Sequence, residues 1–112
     1  MAKNSQRAYS AYTRNALALF ASMIRVARIE HKLTTQELAE RAGISRGLLQ
    51  RIEKGDPACS IGVVFELATL VGVKLFNEDE QSISYQLHQA EEKLALLPKH
   101  MSKRTKAVDD DF

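Results

Sequence analysis

The chain has 112 residues, 45% of them hydrophobic, and a formal net charge of +2. That allows one compact domain with tails, small enough for a second copy to be a reasonable way of burying leftover apolar surface. The lone cysteine, Cys59, excludes an intrachain disulfide, and no apolar run approaches the length needed to span a membrane.

The distribution of charge says more than its sum. Residues 1–32 hold six Lys/Arg against one acid, Glu30, whereas residues 57–98 hold two basic residues against six acids. Residues 99–106 carry four basic residues and no acid, and Asp109, Asp110 and Asp111 follow. Segregation of this kind points to separate surfaces for separate partners.

Five helices are predicted in chain order. The first covers about Tyr12 to Lys32, where Leu17, Phe20, Ile24 and Ala27 recur at helical spacing and Leu19, Met23 and Val26 form a second apolar stripe. That is wider than a small domain needs, so the second stripe is expected to meet another helix or a partner subunit. Tyr9 and Tyr12 are expected to pack on the bundle. The second helix opens at Thr34, with Glu37 three residues on in a capping box, and ends at Gly43. The third opens at Ser45, a good N-cap, and ends at Gly55, before an Asp56-Pro57 turn. The fourth runs from Ser60 to Val71, with Gly72 just beyond it. Val73, Leu75 and Phe76 make a short, mainly apolar segment that fits an extended or a helical conformation. The fifth helix covers Asp79–Leu97, with acids at its positive end, a stripe of Ile83, Leu87, Ala90, Leu94 and Leu97 that fits the core or, as the alternative, a partner groove, and Pro98 as its stop. The expected organisation is a flexible N-terminus over residues 1–11, one helical domain over 12–97, and a flexible charged tail over 98–112.

Helices two and three carry the functional signal. A tight turn between two crossing helices needs a residue that tolerates the left-handed conformation, and Gly43 in Ala42-Gly43-Ile44-Ser45 supplies it. Ala39 provides the small side chain required where helix three presses close. Leu38, Ala42, Ile44, Leu49 and Ile52 form the apolar wedge, leaving Arg46, Gly47, Gln50, Arg51 and Lys54 on outward positions. Such a helix fits a DNA major groove. Arg46 and Arg51 each offer two parallel donors to guanine O6 and N7, Gln50 suits a base or a phosphate, Gly47 permits close approach of the backbone, and Leu48 suits a thymine methyl or the core. Thr34, Thr35 and Gln36 at the start of helix two, with Ser45 and Lys54, are the expected phosphate contacts.

The segment LTTQELAERAGISRGLLQRIEKG resembles the Cro/C1-type (XRE-like) helix-turn-helix family through Leu33-Thr34, Gln36, Leu38-Ala39, Ala42-Gly43-Ile44-Ser45 and Ile52-Glu53-Lys54-Gly55. The resemblance runs from about Ile24 to Val73. It implies an all-α, five-helix lambda-repressor-like bundle that binds double-stranded operator DNA as a homodimer on an inverted repeat, with base-reading positions at Arg46, Gly47, Leu48 and Arg51. The stretch GDPACSIGVVFELATLVGVKLF, a helix ending LALLPKHMSKR and the terminus VDDDF further resemble HipB-like antitoxins. That resemblance implies autoregulation of an operon and neutralisation of a HipA-type serine/threonine kinase toxin.

Other features read more plainly. Cys59 sits near a helix start, which would lower a thiol pKa, but it is read as a small half-buried residue. His31, His88 and His100 are far apart and no metal-ligand spacing occurs, so no metal is expected. No Gly-rich phosphate loop or nucleophile elbow is present, so neither a cofactor nor an enzyme is expected. Helix four is apolar on more than one face, which makes Val64, Phe65, Leu67, Phe76 and Leu87 the candidate dimer interface. The acids Glu91, Glu92, Asp109, Asp110 and Asp111, with Phe112, are candidate toxin contacts. The sequence therefore reads as a cytoplasmic repressor, nucleoid-associated when on DNA, that acts as an antitoxin. The alternatives are a stand-alone repressor, or an interaction module that keeps the shape without specific DNA binding.

Overall fold

The computed structural model describes residues 8–100. Among them are five α-helices, a short 3₁₀ turn and no strand, the all-α architecture expected. The helices are α1 (Ala11–Glu30), α2 (Thr35–Ala42), α3 (Arg46–Glu53), α4 (Ile61–Leu70) and α5 (Glu80–Leu96). They fall into two compact units, one ending at Asn77 and one beginning at Glu78.

Side chains written in the sequence set the boundaries of the first unit. The Ser10 hydroxyl accepts from the Thr13 N–H, so α1 begins at Ala11, one residue earlier than predicted. The helix stops at Glu30 rather than Lys32. His31 caps it, and Lys32 turns into the left-handed region at φ 57°, which lets the Leu33 N–H return to the Arg28 carbonyl. The capping box of α2 is present in both directions, with Glu37 N–H to Thr34 Oγ1 at 3.0 Å and Thr34 N–H to Glu37 Oε1 at 2.8 Å. Gly43 takes φ 72° and ψ 31°, and the Ile44 N–H reaches back to the Ala39 carbonyl at 3.0 Å. Ser45 then caps α3 by accepting from the Leu48 N–H.

Ile24, Leu38, Ala39, Leu49, Ile52, Leu67, Ala68 and Val71 form one buried cluster from α1 to the end of α4. Phe20, Ile44, Leu48 and Val64 pack around it half-buried. Leu67 is fully buried within this core, which corrects its assignment to a dimer interface: it lies on the face of α4 turned toward the other three helices. The second stripe of α1 stays in solvent, with Leu19, Met23 and Val26 exposed. Tyr12 is exposed as well, contrary to expectation, because the first turn of α1 places it away from the core.

The undecided segment after α4 is a 3₁₀ turn over Leu75–Asn77. Phe76 adopts φ 58° and ψ 17°, an unusual conformation for a bulky residue. Its ring stands edge-on to Phe65 at 6.3 Å, and Phe65 in turn meets Phe20 at 6.3 Å. Even so, Phe76 is 74% exposed.

In the second unit, Asp79 caps α5 by accepting from the Ser82 N–H. The helix buries none of its residues, which corrects the core reading of its stripe: Leu87, Ala90, Leu94 and Leu97 are exposed, and Ile83 is half-buried. Glu91 and Glu92 are exposed too, and Glu92 lies 3.2 Å from His88 one turn earlier. Asp109, Asp110, Asp111 and Phe112 lie outside the described residues.

Candidate nucleic-acid interface

The two faces of α3 differ sharply. Leu49 and Ile52 are buried on the inner face. Arg46, Gly47, Gln50 and Arg51 are exposed on the outer one, and Lys54, the cap residue, is exposed beyond them. The structure thus brings together all the predicted base-reading residues on one exposed face except Leu48, which is half-buried against the core. The Ser45 hydroxyl is used in capping its own helix.

Two ion pairs hold this helix. On the inner side, Arg28 of α1 donates from Nε to Glu53 Oε2 at 2.7 Å and from Nη2 to Oε1 at 3.1 Å. Its Nη1 donates to the Leu33 carbonyl at 2.9 Å. Both side chains are nearly buried, and every guanidinium nitrogen has an acceptor, which such burial requires. The sequence reading missed this pair. Its only trace is a cation in the middle of a buried helical face and an acid directly after Ile52.

On the outer side, Arg51 Nε donates to Asp56 Oδ2 at 2.8 Å, and Asp56 Oδ1 accepts from the Ala58 N–H at 2.9 Å. The Ala58 amide, with Arg51 second, holds the Asp56 carboxyl below the usual carboxylate range. The bond to Asp56 engages Nε and leaves the two terminal nitrogens of Arg51, the pair that would meet a guanine edge, outside it. Nearby Cys59 is half-buried as read, and burial, with Asp56 adding to it, pushes its thiol pKa up rather than down.

At the start of α2, the Thr34 N–H and hydroxyl are occupied by the capping box, and Gln36 Nε2 donates to Glu40 Oε2. Thr35 is half-buried and lines a polar cleft of about 260 Å³ together with Arg25, Arg28, Gln50, Glu53 and Lys54. A larger groove, about 590 Å³ and mainly apolar, runs along the other side of α1 past Leu19, Met23, Val26 and Val73. No residue of α3 lines it. Among the described residues, no cluster of His, Cys, Asp and Glu could hold a metal ion, and no helix is long and apolar enough to cross a membrane.

Two short helices joined through a left-handed glycine, the second sealed on one face and polar and basic on the other, define a helix-turn-helix. Residues 24–76 match the helix-turn-helix family. The chain is also similar to a protein of Methanocaldococcus jannaschii named as an uncharacterized HTH-type transcriptional regulator. The two are 40% identical over 48 residues, which is 43% of this chain and 73% of that one. No solved structure matches. The chain belongs to the helix-turn-helix family, a class of DNA-binding regulators rather than enzymes.

Proposed function

We propose that the protein is a sequence-specific transcriptional repressor that inserts α3 into the major groove of its operator. The observation that carries this reading is the exposed row Arg46, Gly47, Gln50 and Arg51 over a sealed inner face. Arg46 and Arg51 read guanines, Gly47 lets the helix backbone approach, and Gln50 contacts a base or a phosphate. Thr34, Thr35, Gln36, Ser45 and Lys54 contact the backbone and fix register. Gel shifts across the gene's own upstream region, over a range of salt, test this. A footprint unchanged by Arg46→Ala and Arg51→Ala would refute it.

The operator is an inverted repeat bound by a homodimer in the cytoplasm. Support comes from Phe76, a bulky residue held in a strained backbone conformation and left mostly in solvent, a combination more readily maintained under a partner surface. Phe65 and Val64 lie on the helix before it, and Leu87 on α5 offers further apolar surface. Sedimentation of wild type and Phe76→Ser at micromolar concentration tests the assembly. Wild type is expected to be dimeric and the variant to shift toward monomer.

The finer reading is an antitoxin of a HipA-type kinase, with Glu91, Glu92 and the Asp109–Phe112 terminus as contacts. It rests on the resemblance to HipB-like antitoxins and on an α5 whose acids are exposed. Co-expression with the adjacent reading frame, followed by co-purification and a growth test, distinguishes it from a stand-alone repressor.

A further inference from the structure

Each of the two units presents an apolar face to solvent. In the first, Leu19, Met23 and Val26 on α1 and Val73 beyond α4 line the mainly apolar groove of about 590 Å³. Ser22, Ala27 and Gly72 also line it, and their small size leaves room for the axis of a further helix to approach. In the second, α5 buries none of its residues, and Leu87, Ala90 and Leu94 are exposed along one side. Apolar rows of this extent mark contact surfaces. Their lengths agree: Leu19 to Glu30 along the groove and Ile83 to Leu94 along α5 each span eleven helical rises, about 16 Å.

The charges agree as well. The groove carries one anion, Glu30 on α1, and one cation, Lys74 on the segment after α4. Neither has an ion-pair partner among the described residues. On α5, a turn of about 3.6 residues sets Glu91 at one border of the apolar stripe and Lys93 at the other. A helix laid in the groove in one direction brings Glu91 toward Lys74 and Lys93 toward Glu30; reversed, it sets like charge against like. Such rim pairs add little affinity but select a direction.

We infer that the groove on α1 receives α5 of a second copy, so that two chains exchange their α5 helices across a two-fold axis. Each copy supplies one groove and one helix, and the contact is made twice per dimer. The inference rests on the homodimer reading above and names what that reading leaves open, the seat of α5. Within one copy Leu19, Val26, Leu87 and Leu94 all remain exposed, which leaves this contact to be made between copies. No residue of α3 lines the groove, so an assembly built this way keeps both reading helices free for DNA.

The test is a cross-link that reports which segment is captured and from which copy. Cys59→Ser removes the one native thiol, and Ser22→Cys provides a thiol at the groove for a benzophenone maleimide. This chain is mixed with an excess of isotope-labelled wild-type chain, irradiated and digested with trypsin. The expected product joins the probe to the labelled peptide that contains Leu87. Leu94→Glu in the labelled chain should abolish that product. Present in both copies, the same substitution should weaken the dimer in sedimentation by about tenfold or more, as loss of one apolar anchor per seat implies. Leu94 is exposed within one copy, so the fold should tolerate the charge. Capture of the unlabelled chain's own α5, or of labelled α1, overturns the exchange and leaves the homodimer reading standing. A wild-type dimer that yields no captured α5 peptide does the same. A chain that sediments as a monomer at micromolar concentration overturns the homodimer reading and the exchange with it.

Discussion

The inner and outer sides of α3 each carry an arginine–carboxylate pair of nearly the same length, 2.7 Å for Arg28–Glu53 and 2.8 Å for Arg51–Asp56. Their surroundings differ. The inner side chains are 10% and 6% exposed, the outer 54% and 25%. Distance alone would rank the pairs as equals, but burial assigns them different tasks. The inner pair joins α1 to α3 where water cannot substitute for either partner, so losing one half strands the other. The outer pair sits in water, where ion pairs add little to stability, and its effect is on where Arg51 points. One pair keeps the reading helix in place, and the other sets the attitude of one of its readers.

The largest expected effect lies on the inner side. Glu53→Ala or Arg28→Ala should cost about 3–5 kcal/mol of folding stability, because each leaves a buried charge without its partner. Replacing both together with apolar residues of similar volume should cost much less. Urea unfolding of the single and double variants measures this, and a double-variant loss equal to the sum of the two single losses would show that the pair is not acting as a unit. In contrast, Asp56→Asn should leave the unfolding midpoint essentially where it was. If it does not, the contrast between the two pairs fails.

The next effect lies on the outer side and is read in DNA binding. Arg46→Ala and Arg51→Ala should each weaken operator binding by about tenfold to a hundredfold while sparing the fold, as expected for loss of a bidentate guanine contact. Lys54→Ala, a phosphate contact, should weaken all sequences equally. A discrimination assay against unrelated duplex DNA separates the two behaviours. Arginine variants that lose operator and unrelated binding in the same proportion would move Arg46 and Arg51 to the phosphate class.

The residues on the two faces of α3 were legible in the sequence, and the ion pairs behind them were not. Local chemistry announces itself: Thr34 with Glu37, Gly43, and Ser45 each bond to backbone within a few residues, so their spacing carries their meaning. The periodicity that fixed Leu49 and Ile52 inside also left Arg46 and Arg51 outside. Arg28 and Glu53, in contrast, are 25 residues apart and meet only because α1 packs against α3. No window of sequence contains both. The same limit misassigned Leu67. Its row on α4 is apolar on several faces, and only the packing shows which one is inside. For α5 the error ran the other way. Period 3.5 established the helix, but period carries no information about what covers it, and here the stripe stays in solvent. Hydrophobicity alone marks Phe76 in the sequence, and its left-handed backbone has no signal in a non-glycine residue.

A smaller effect tests how the outer pair works. Asp56→Asn keeps Arg51 but removes the charge that fixes its Nε, so operator affinity should fall by several-fold, less than for Arg51→Ala. Binding to unrelated DNA should hold or rise slightly, since an acid near the phosphates has gone. The pH dependence follows from the same carboxyl. Its folded pKa is depressed below the usual carboxylate range, so its contribution is complete above that range and is lost as pH falls through the lower, folded value. The Arg51–Asp56 bond should therefore be intact throughout pH 5.5–8. A carboxyl-carbon NMR titration of Asp56 should show a midpoint below that of an ordinary aspartate, and a midpoint at or above it would remove the anchor from the outer side.

The smallest expected effect concerns Cys59, which reports on the outer pair from a short distance away. Alkylation requires the thiolate, so its rate at a given pH follows the thiol pKa and the access of the reagent. Burial raises that pKa first, and the Asp56 charge raises it further, while the Arg51 cation opposes both to a lesser degree. Cys59 in the folded protein should therefore react with iodoacetamide more slowly at pH 8 than the same thiol in urea. Asp56→Asn removes a negative charge that repels the thiolate and leaves the guanidinium that attracts it, so alkylation of the folded variant should be faster than that of wild type. Arg51→Ala removes the attraction and should slow it. The opposite signs matter because a loosened turn would speed the reaction in both variants by admitting reagent. If both variants react faster, the outer pair holds the turn together as well as aiming Arg51, and the division of labour between the two sides of α3 is less complete than their burial implies.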